Sequence, residues 1–429
     1  MDITNKAFYE FDGIEELQVE VDIIKAAISF SQGLDHAKYG LMNHHLRVSL
    51  ISLCLGKYLN LSEQELFQLF QAAILHDIGA LSSLDVQILK QFDFTNTSHT
   101  KQGYEFMQGL KRYKKTAEII RSHHDRWDGK NDTGLAGEQI PLASRIISLA
   151  DRVDILLQSN TNILLQRDLV LTRIQQHSGE IFDPTLVKAF LEIAKAESIW
   201  LDLVSPLLAD RIYSILPLTH QSFGYQELLD LAELFARVVD AKSPYTYNHS
   251  HNVASTTVTL AGLLGCSRQR IFLLYIAGLL HDLGKMTISE MILDKPGPLS
   301  KEEMSVMKQH TYYTYWWLKG AFNNSPIAEW AAYHHERLDG AGYPFRKKAD
   351  ELDMGARIVA VSDIFSALRE DRPYRSSLGW NAIEQILLKL VKGGGLDSSV
   401  VEALLANKEV IDFSWEKRRE TMNNHAAGV

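Results

Sequence analysis

Only two cysteines, Cys54 and Cys266, occur in the 429 residues. Each sits in an apolar, helix-like stretch, so a disulfide framework is excluded and buried free thiols are expected. Proline is scarce, at ten residues, and the apolar residues recur at helical spacing, which points to an all-α chain. Long hydrophobic runs are missing too. Ile271 to Leu280, the longest near the motifs described below, is too short to span a bilayer. The N-terminus M-D-I-T-N-K-A-F-Y-E is polar and acidic, unlike a signal peptide, so a cytoplasmic location and no membrane insertion are expected. Basic excess is absent as well. With 44 Lys and Arg against 53 Asp and Glu, the net charge is -9, which argues against DNA and membrane surfaces as partners. An anionic ligand must therefore be attracted by a local field.

What is present is histidine and aspartate in a particular order. His281 to Lys285 reads H-D-L-G-K, and His334 to Pro344 reads H-H-E-R-L-D-G-A-G-Y-P. His310 lies between these stretches, His249 upstream in N-H-S-H-N-V, and Asp363 downstream in A-V-S-D-I-F. Five histidines (His249, His281, His310, His334, His335) and two aspartates (Asp282, Asp363) are imidazole and carboxylate donors that suit divalent first-row metals. An aspartate can bridge two ions, so seven such donors are enough for a two-metal site that clamps a phosphoryl group.

At this length one hydrophobic core is not expected, and about two domains are. Local signals agree on helices. Ser62 with Glu65 forms a capping-box pattern before a helix that delivers His76 and Asp77, with Gly79 as its stop. Ser267 opens a similar helix that delivers His281 and Asp282. Ser300 with Glu303 caps a helix expected to carry His310.

These parallels are an internal repeat. His44 matches His249, and His76-Asp77 matches His281-Asp282, both at an offset of 205. His99 matches His310 and His123-His124 matches His334-His335 at 211, and Asp151 matches Asp363 at 212. Gly179 to Phe190 (G-E-I-F-D-P-T-L-V-K-A-F) parallels Gly393 to Leu404 (G-G-G-L-D-S-S-V-V-E-A-L). Two helical domains, 1-205 and 226-429, are expected, with the boundary between Ser198 and Gln226. The first copy keeps all seven donors: His44, His76, Asp77, His99, His123, His124 and Asp151. It has Ala80 in place of Lys285 and Asn131-Asp132-Thr133 in place of Gly342-Tyr343-Pro344, and no basic counterpart to D-R-P-Y-R (Asp371 to Arg375) follows Asp151.

H-D-x-G-K followed by H-H-E-x-x-D-G-x-G-Y-P, with the flanking His249, His310 and Asp363, resembles the HD-GYP family of bacterial cyclic-dinucleotide phosphodiesterases, from about Ser243 to Leu404. The tandem arrangement with a degraded first copy is most similar to the 3′,3′-cyclic GMP-AMP phosphodiesterases of that family. The resemblance implies tandem HD-type domains with the second catalytic. It implies one ion on His249, His281, Asp282 and Asp363, and another on His310, His334, His335 and the bridging Asp282, with Fe, Mn or Ni in preference to Zn. Some relatives hold a third ion with a Glu one turn before the first His; Tyr245 stands there, so two metals are expected.

The resemblance further implies hydrolysis of 3′,3′-cyclic GMP-AMP or cyclic di-GMP to the linear dinucleotide, by in-line attack of a metal-bridging hydroxide. Asp282 and Lys285 would be catalytic, with Lys285 binding a phosphate oxygen. Gly342, Tyr343 and Pro344 would shape the substrate at the rim, and Arg372 and Arg375 would contact phosphate or base. The first copy would be a further metal site without turnover, serving a structural, dimerisation or regulatory end; a homodimer is an open option. Two other readings stay open: an HD-superfamily phosphohydrolase of mononucleotides or alarmones, and a non-catalytic cyclic-dinucleotide receptor. His36, His45, His177, His220, His251 and His425 are left as ordinary polar residues, and the aromatic run Tyr312 to Trp317 as mostly core.

Overall fold

The computed structural model describes residues 22–37, 42–92, 97–216, 225–243, 248–322, 325–371 and 375–416. Among them the chain is helical, without a named strand; the two isolated bridges are Ser178 with Phe182 and Asp339 with Lys348. No helix of the described residues is long and apolar enough to cross a membrane. Tyr245, Arg372, His220, His425 and the N-terminal decapeptide lie outside the described residues. Two compact units emerge, one within 23–221 and one within 222–429.

In the first unit, the helices that frame the later site are α1 (Ile23–Ala37), α2 (His44–Tyr58), α3 (Glu63–Leu75), α4 (Ser98–Met107), α5 (Lys114–Arg121), α6 (Leu142–Ile155) and α7 (Pro184–Ile193). In the second they are α8 (Tyr225–Asp240), α9 (His249–Leu263), α10 (Arg268–Leu280), α11 (Gln309–Ala321), α12 (Ile327–Ala332), α13 (Met354–Arg369) and α14 (Ser398–Ala406). At the centre of each unit, α2 packs on α3 and α6, and α9 packs on α10 and α13. Leu260, Leu274, Ile276, Val359 and Val361 on the last three are fully buried. Each such side chain contributes about 1.5–3 kcal/mol on burial.

Local chemistry sets where the helices begin. Ser62 accepts from Glu65 N while Glu65 reaches back, the full capping box. Ser267 caps α10 by accepting from Arg270 N. Asp183 and Asp397 cap α7 and α14 and each also receives an arginine, Arg145 Nη1 at 2.6 Å and Arg357 Nη1 at 2.7 Å. Those arginines also bond the same carbonyl position, Ile140 and Leu352. The repeat thus extends to side chains outside the histidine set.

Three local expectations change. The helix capped by Ser300 and Glu303 ends at Met307, and His310 sits on the next helix, α11. Gly79 does not stop α3, which ends at Leu75. It is needed because a Cβ there would lie 2.1 Å from His99 O, just as a Cβ on Gly284 would lie 1.9 Å from His310 O. The glycine of H-D-x-G lets two histidine-bearing segments touch. The cysteines are free but only half-buried, and Tyr312 and Trp316 are 46% and 51% exposed, while Trp317 is core.

Candidate metal centre

In the second unit each candidate donor sits at a defined backbone position. His249 opens α9, and His281 ends α10. Asp282 precedes a 3-10 turn, Leu283–Thr287, that carries Lys285. His334 and His335 lie on a 3-10 turn directly after α12, and Asp363 is mid-way along α13. All but His335 are buried; the His335 side chain is 30% exposed and marks the open side.

The two oxygens of Asp282 face different histidines. Oδ2 is 3.2 Å from His281 Nε2 and 3.6 Å from His249 Nε2. Oδ1 is 3.5 Å from His310 Nε2 and 3.9 Å from His334 Nε2. Asp363 Oδ1 lies 3.2 Å from His249 Nε2 and 3.8 Å from His281 Nε2, and its Oδ2 is 3.9 Å from His335 Nδ1. Donors each about 2.0–2.2 Å from one ion lie roughly 3–3.5 Å from one another, so these spacings fit metal coordination.

Tautomers support the same reading. Nδ1 of His281, His310 and His334 donates to the carbonyls of Gly278, Met307 and Ala331 at 2.8, 2.6 and 2.6 Å. His249 Nδ1 bonds Glu370 Oε2 at 2.9 Å. Each ring thereby turns a lone pair on Nε2 towards the aspartates, the arrangement that orients metal-bound imidazoles. Buried His281 Nε2 and Asp282 Oδ1 have no hydrogen-bond partner, a costly state that an ion would relieve. Burial holds His310 down to about 3 and also lowers His334 and His335, so these imidazoles are neutral donors at neutral pH. Burial alone would raise Asp282 and Asp363; surrounding histidines, and Lys285 for Asp282, outweigh it and keep both ionised.

Around the donors, the Lys285 ammonium rests on Asp282 Oδ2. The Tyr343 ring packs 5.0 Å from that of His335, and Lys308 lies over it. A Cβ on Gly342 would come within 2.5 Å of the Glu336 backbone. Glu336 accepts from Phe345 N and Lys347 N, which ties the Gly-Tyr-Pro loop to the histidine turn. Arg375 spends its guanidinium on the carbonyls of Ala367, Leu368 and Ser376, where it closes the end of α13. His251 bonds Glu233 at 2.7 Å and leaves His249 to face the aspartates.

The first unit repeats the donor geometry. Asp77 Oδ2 faces His44 and His76 at 3.7 and 3.6 Å, and Oδ1 faces His99 and His123 at 3.3 and 3.5 Å. Asp151 spans His44 (3.5 Å) and His124 (3.9 Å). His76 and His123 donate from Nδ1 to Ala73 and Ile120 carbonyls. Its surroundings differ. Burial would lower His44, but hydrogen bonds to Asp154 and Asp77 raise it to about 10. The His124 side chain is 7% exposed. Arg152, adjacent to Asp151, pairs with Asp151 Oδ2 at 2.6 Å and with the Gln91 and Phe92 carbonyls. Arg152 is thus a cation beside Asp151, but it is turned inward and does not correspond to the D-R-P-Y-R segment, whose counterpart at residues 159–163 holds no basic residue. A cavity of about 510 Å³ beside His124 is lined by Phe92, Lys130, Asp132 and Arg152.

Several groups escaped the sequence reading. Asp154 is one turn beyond Asp151 on α6, a spacing that could have flagged it. Glu370 is not at the matching offset and carries no such signal. Arg47 and Asn252 brace those two carboxylates at corresponding positions.

The HD domain family matches residues 41–156, and a second family of the same description matches residues 233–397. Both units are thus HD domains, a metal-dependent class, and both hold histidine-aspartate groups that could bind metal. A 3'3'-cGAMP-specific phosphodiesterase 1 from Vibrio cholerae is 31% identical over 403 residues, covering 92% of this chain and 93% of that protein. The 3'3'-cGAMP-specific phosphodiesterase 3 of the same organism is 30% identical, covering 82% and 87%. A crystal structure of the cyclic GMP-AMP phosphodiesterase V-cGAP3 of V. cholerae superposes with a TM-score of 0.64 at 28% identity, over 89% of this chain and 96% of that one. The chain belongs to the HD-GYP phosphodiesterase family, in its tandem HD form.

Proposed function

We propose that the second unit hydrolyses a cyclic dinucleotide, 3′,3′-cyclic GMP-AMP or cyclic di-GMP, to the linear dinucleotide. The observation that carries this is the split of Asp282 between two histidine groups with Lys285 on its flank. Two relatives named for 3'3'-cGAMP span 92% and 82% of this chain and a third spans 41%, while those named for cyclic di-GMP span between 32% and 46%. His249, His281, Asp282 and Asp363 would hold one divalent ion, and His310, His334, His335 and Asp282 the other. A nitrogen-rich set with carboxylates and no thiolate suits divalent first-row ions such as Fe, Mn, Ni or Zn, and the resemblance to the family favours the first three. Such ions, when bound, polarise a phosphoryl oxygen and make water a nucleophile near neutral pH.

The protein's own groups do the rest. Lys285 moves from Asp282 to a non-bridging phosphate oxygen and stabilises charge that grows on it. Tyr343, held by His335 and the Glu336-tied loop, forms the rim against which a nucleoside rests. Arg375 acts from behind, by fixing the end of the helix that carries Asp363. One ring P–O bond breaks; water contributes its oxygen to phosphorus and a proton to the leaving oxygen. In the first unit the donors would bind metal without turnover, because Ala80 offers no cation and Asp132 sits in the cavity beside His124.

The test is chromatography of products from both cyclic dinucleotides with anaerobically metal-loaded protein. One linear dinucleotide is expected, and none from Asp282→Ala. Binding without turnover would favour a receptor, and turnover of mononucleotides alone a different phosphohydrolase.

A further inference from the structure

We infer that Lys242 is a positioning residue for Lys285, clamping from behind the turn that presents the phosphate-binding ammonium. The inference rests on the proposed reaction, since it concerns how Lys285 is held for that chemistry. Lys242 lies just beyond α8, and its Nζ donates to Met286 O at 2.5 Å and Lys285 O at 3.3 Å. Those carbonyls end the 3-10 turn that starts beside Asp282. Lys285 N closes the same turn on Asp282 O at 2.8 Å. A cation at the carbonyl end of a helical turn is favourable, and here it fixes the backbone that aims Lys285.

The repeat supplies an independent argument. Asp35 and Asp240, 205 residues apart, each receive the backbone N–H of the second residue of the next helix, His45 at 3.4 Å and Ser250 at 3.2 Å. At that offset Lys242 corresponds to Ala37, and Lys285 to Ala80. The two lysines are present together in one unit and replaced by alanine together in the other. A turn is formed in both units, since Ala80 N still bonds Asp77 O at 2.9 Å, so the lysine is not needed to make the turn. Keeping it there is also costly. Burial lowers the Lys242 amine to about 8, with Glu290 the charged group acting against that.

The experiment is a double-mutant cycle in the full-length, Mn²⁺-loaded protein: Lys242→Met, Lys285→Ala, and both. Metal content, circular dichroism, kcat and KM are measured for each. Lys242→Met is expected to keep its metal and lower kcat about 10–100-fold, the range for losing a partner that orients a site residue. KM should change far less. In the Lys285→Ala background the same substitution should change kcat less than about twofold, because a residue that acts only through Lys285 has nothing left to position. Lys242→Arg, which keeps a donor, should recover part of the rate. Unchanged kcat in Lys242→Met, or equal factors in both backgrounds, overturns the inference. Should Lys242→Met not fold, Lys242→Gln takes its place in the cycle under the same criteria. No turnover by the wild type on either cyclic dinucleotide would remove the reaction and this inference together. Normal wild-type turnover with multiplicative losses removes the inference alone.

Discussion

The two units hold the same seven donors in the same geometry and surround them differently. Asp77 and Asp282 both divide their oxygens between two histidine groups. Immediately around the donors, the two units diverge. The second unit places Lys285 on Asp282, and the first has Ala80 at the matching position beside Asp77. Tyr343 and a Glu336-tied loop border the second site, while Thr133 bonds Asp125 and Asn131 zips its own loop in the first. Glu233, His251 and Tyr275 form a polar network behind the second site. At the same offset the first unit has buried Ile28, Leu46 and Phe70. On the proposed function, metal-holding and substrate-handling are separable layers of one fold, and only the second unit carries both.

The largest effect that could break this comparison is at Asp282. Asp282→Ala removes the donor shared by both histidine groups. Loss of ion-borne charge stabilisation worth several kcal/mol corresponds to on the order of 10³-fold in rate or more. Metal analysis and product chromatography on the same sample check this; normal turnover without metal in the second unit would remove the mechanism.

Next is Lys285. Lys285→Ala should keep its metal and lose rate by roughly 10²–10³-fold, as for one transition-state donor. The reciprocal change, Ala80→Lys, should not make an Asp282→Ala protein active, because Asp132 and the inward Arg152 remain in the first unit. Measurable turnover from that double variant would show that one lysine is the whole difference between the units.

A smaller effect concerns acid. Burial would raise Glu233, but His251, Arg237 and Tyr275 outweigh it and hold it at about 2. A carboxylate depressed on folding contributes stability that is fully present above its unfolded value near 4.5 and is lost as pH falls towards 2. Each unit of depression is worth at most about 1.4 kcal/mol. Denaturant melts of metal-free protein from pH 6 to 3 should therefore fall less steeply for Glu233→Gln than for the wild type. The slope should not vanish, since depressed Asp282 and Asp363 act in the same direction. Identical slopes would mean that the network contributes nothing to the difference between the units.

Much of this was legible in the sequence, and the exceptions have physical causes. The all-α tandem fold follows from helical periodicity and a repeat whose offset stays between 205 and 214. The donors are legible because metal coordination admits few residue types. The groups that orient them are not, because a carboxylate can reach the same imidazole from different places. Asp154 does so from within α6, and Glu370 from just beyond α13. Lys242 is invisible for a related reason, since it bonds backbone carbonyls that carry no residue identity. Helix ends also escape. The capping box at Ser300 is real, yet its helix ends at Met307 and a new one starts at Gln309, before His310.

The smallest expected effect on turnover is also the sharpest test of the first unit. Asp77→Ala should leave kcat within about threefold, because no group that handles substrate surrounds Asp77; what it should remove is metal. An ion that binds only the folded state at a hundredfold its dissociation constant adds about 2.7 kcal/mol. In a unit of this size that is about 5–10 °C of melting temperature. Comparing metal-loaded with chelator-treated protein isolates this increment from packing changes at the mutated site. In the wild type each unit should gain on loading, and in Asp77→Ala the first-unit gain should vanish while the second-unit gain remains. The His44–Asp154–Arg47 cluster gives a reason for the first unit to bind more weakly. It holds His44 protonated up to about 10 in the metal-free state, so an ion must displace that proton first. Raising pH from 6.5 to 8.5 should therefore strengthen metal retention by the first unit. If Asp77→Ala lowers turnover as far as Asp282→Ala with the fold intact, the two layers are not separable and the first unit takes part in the chemistry. If metal content and melting increment are the same in wild type and Asp77→Ala, the first unit's donors are a packed polar core and hold no ion.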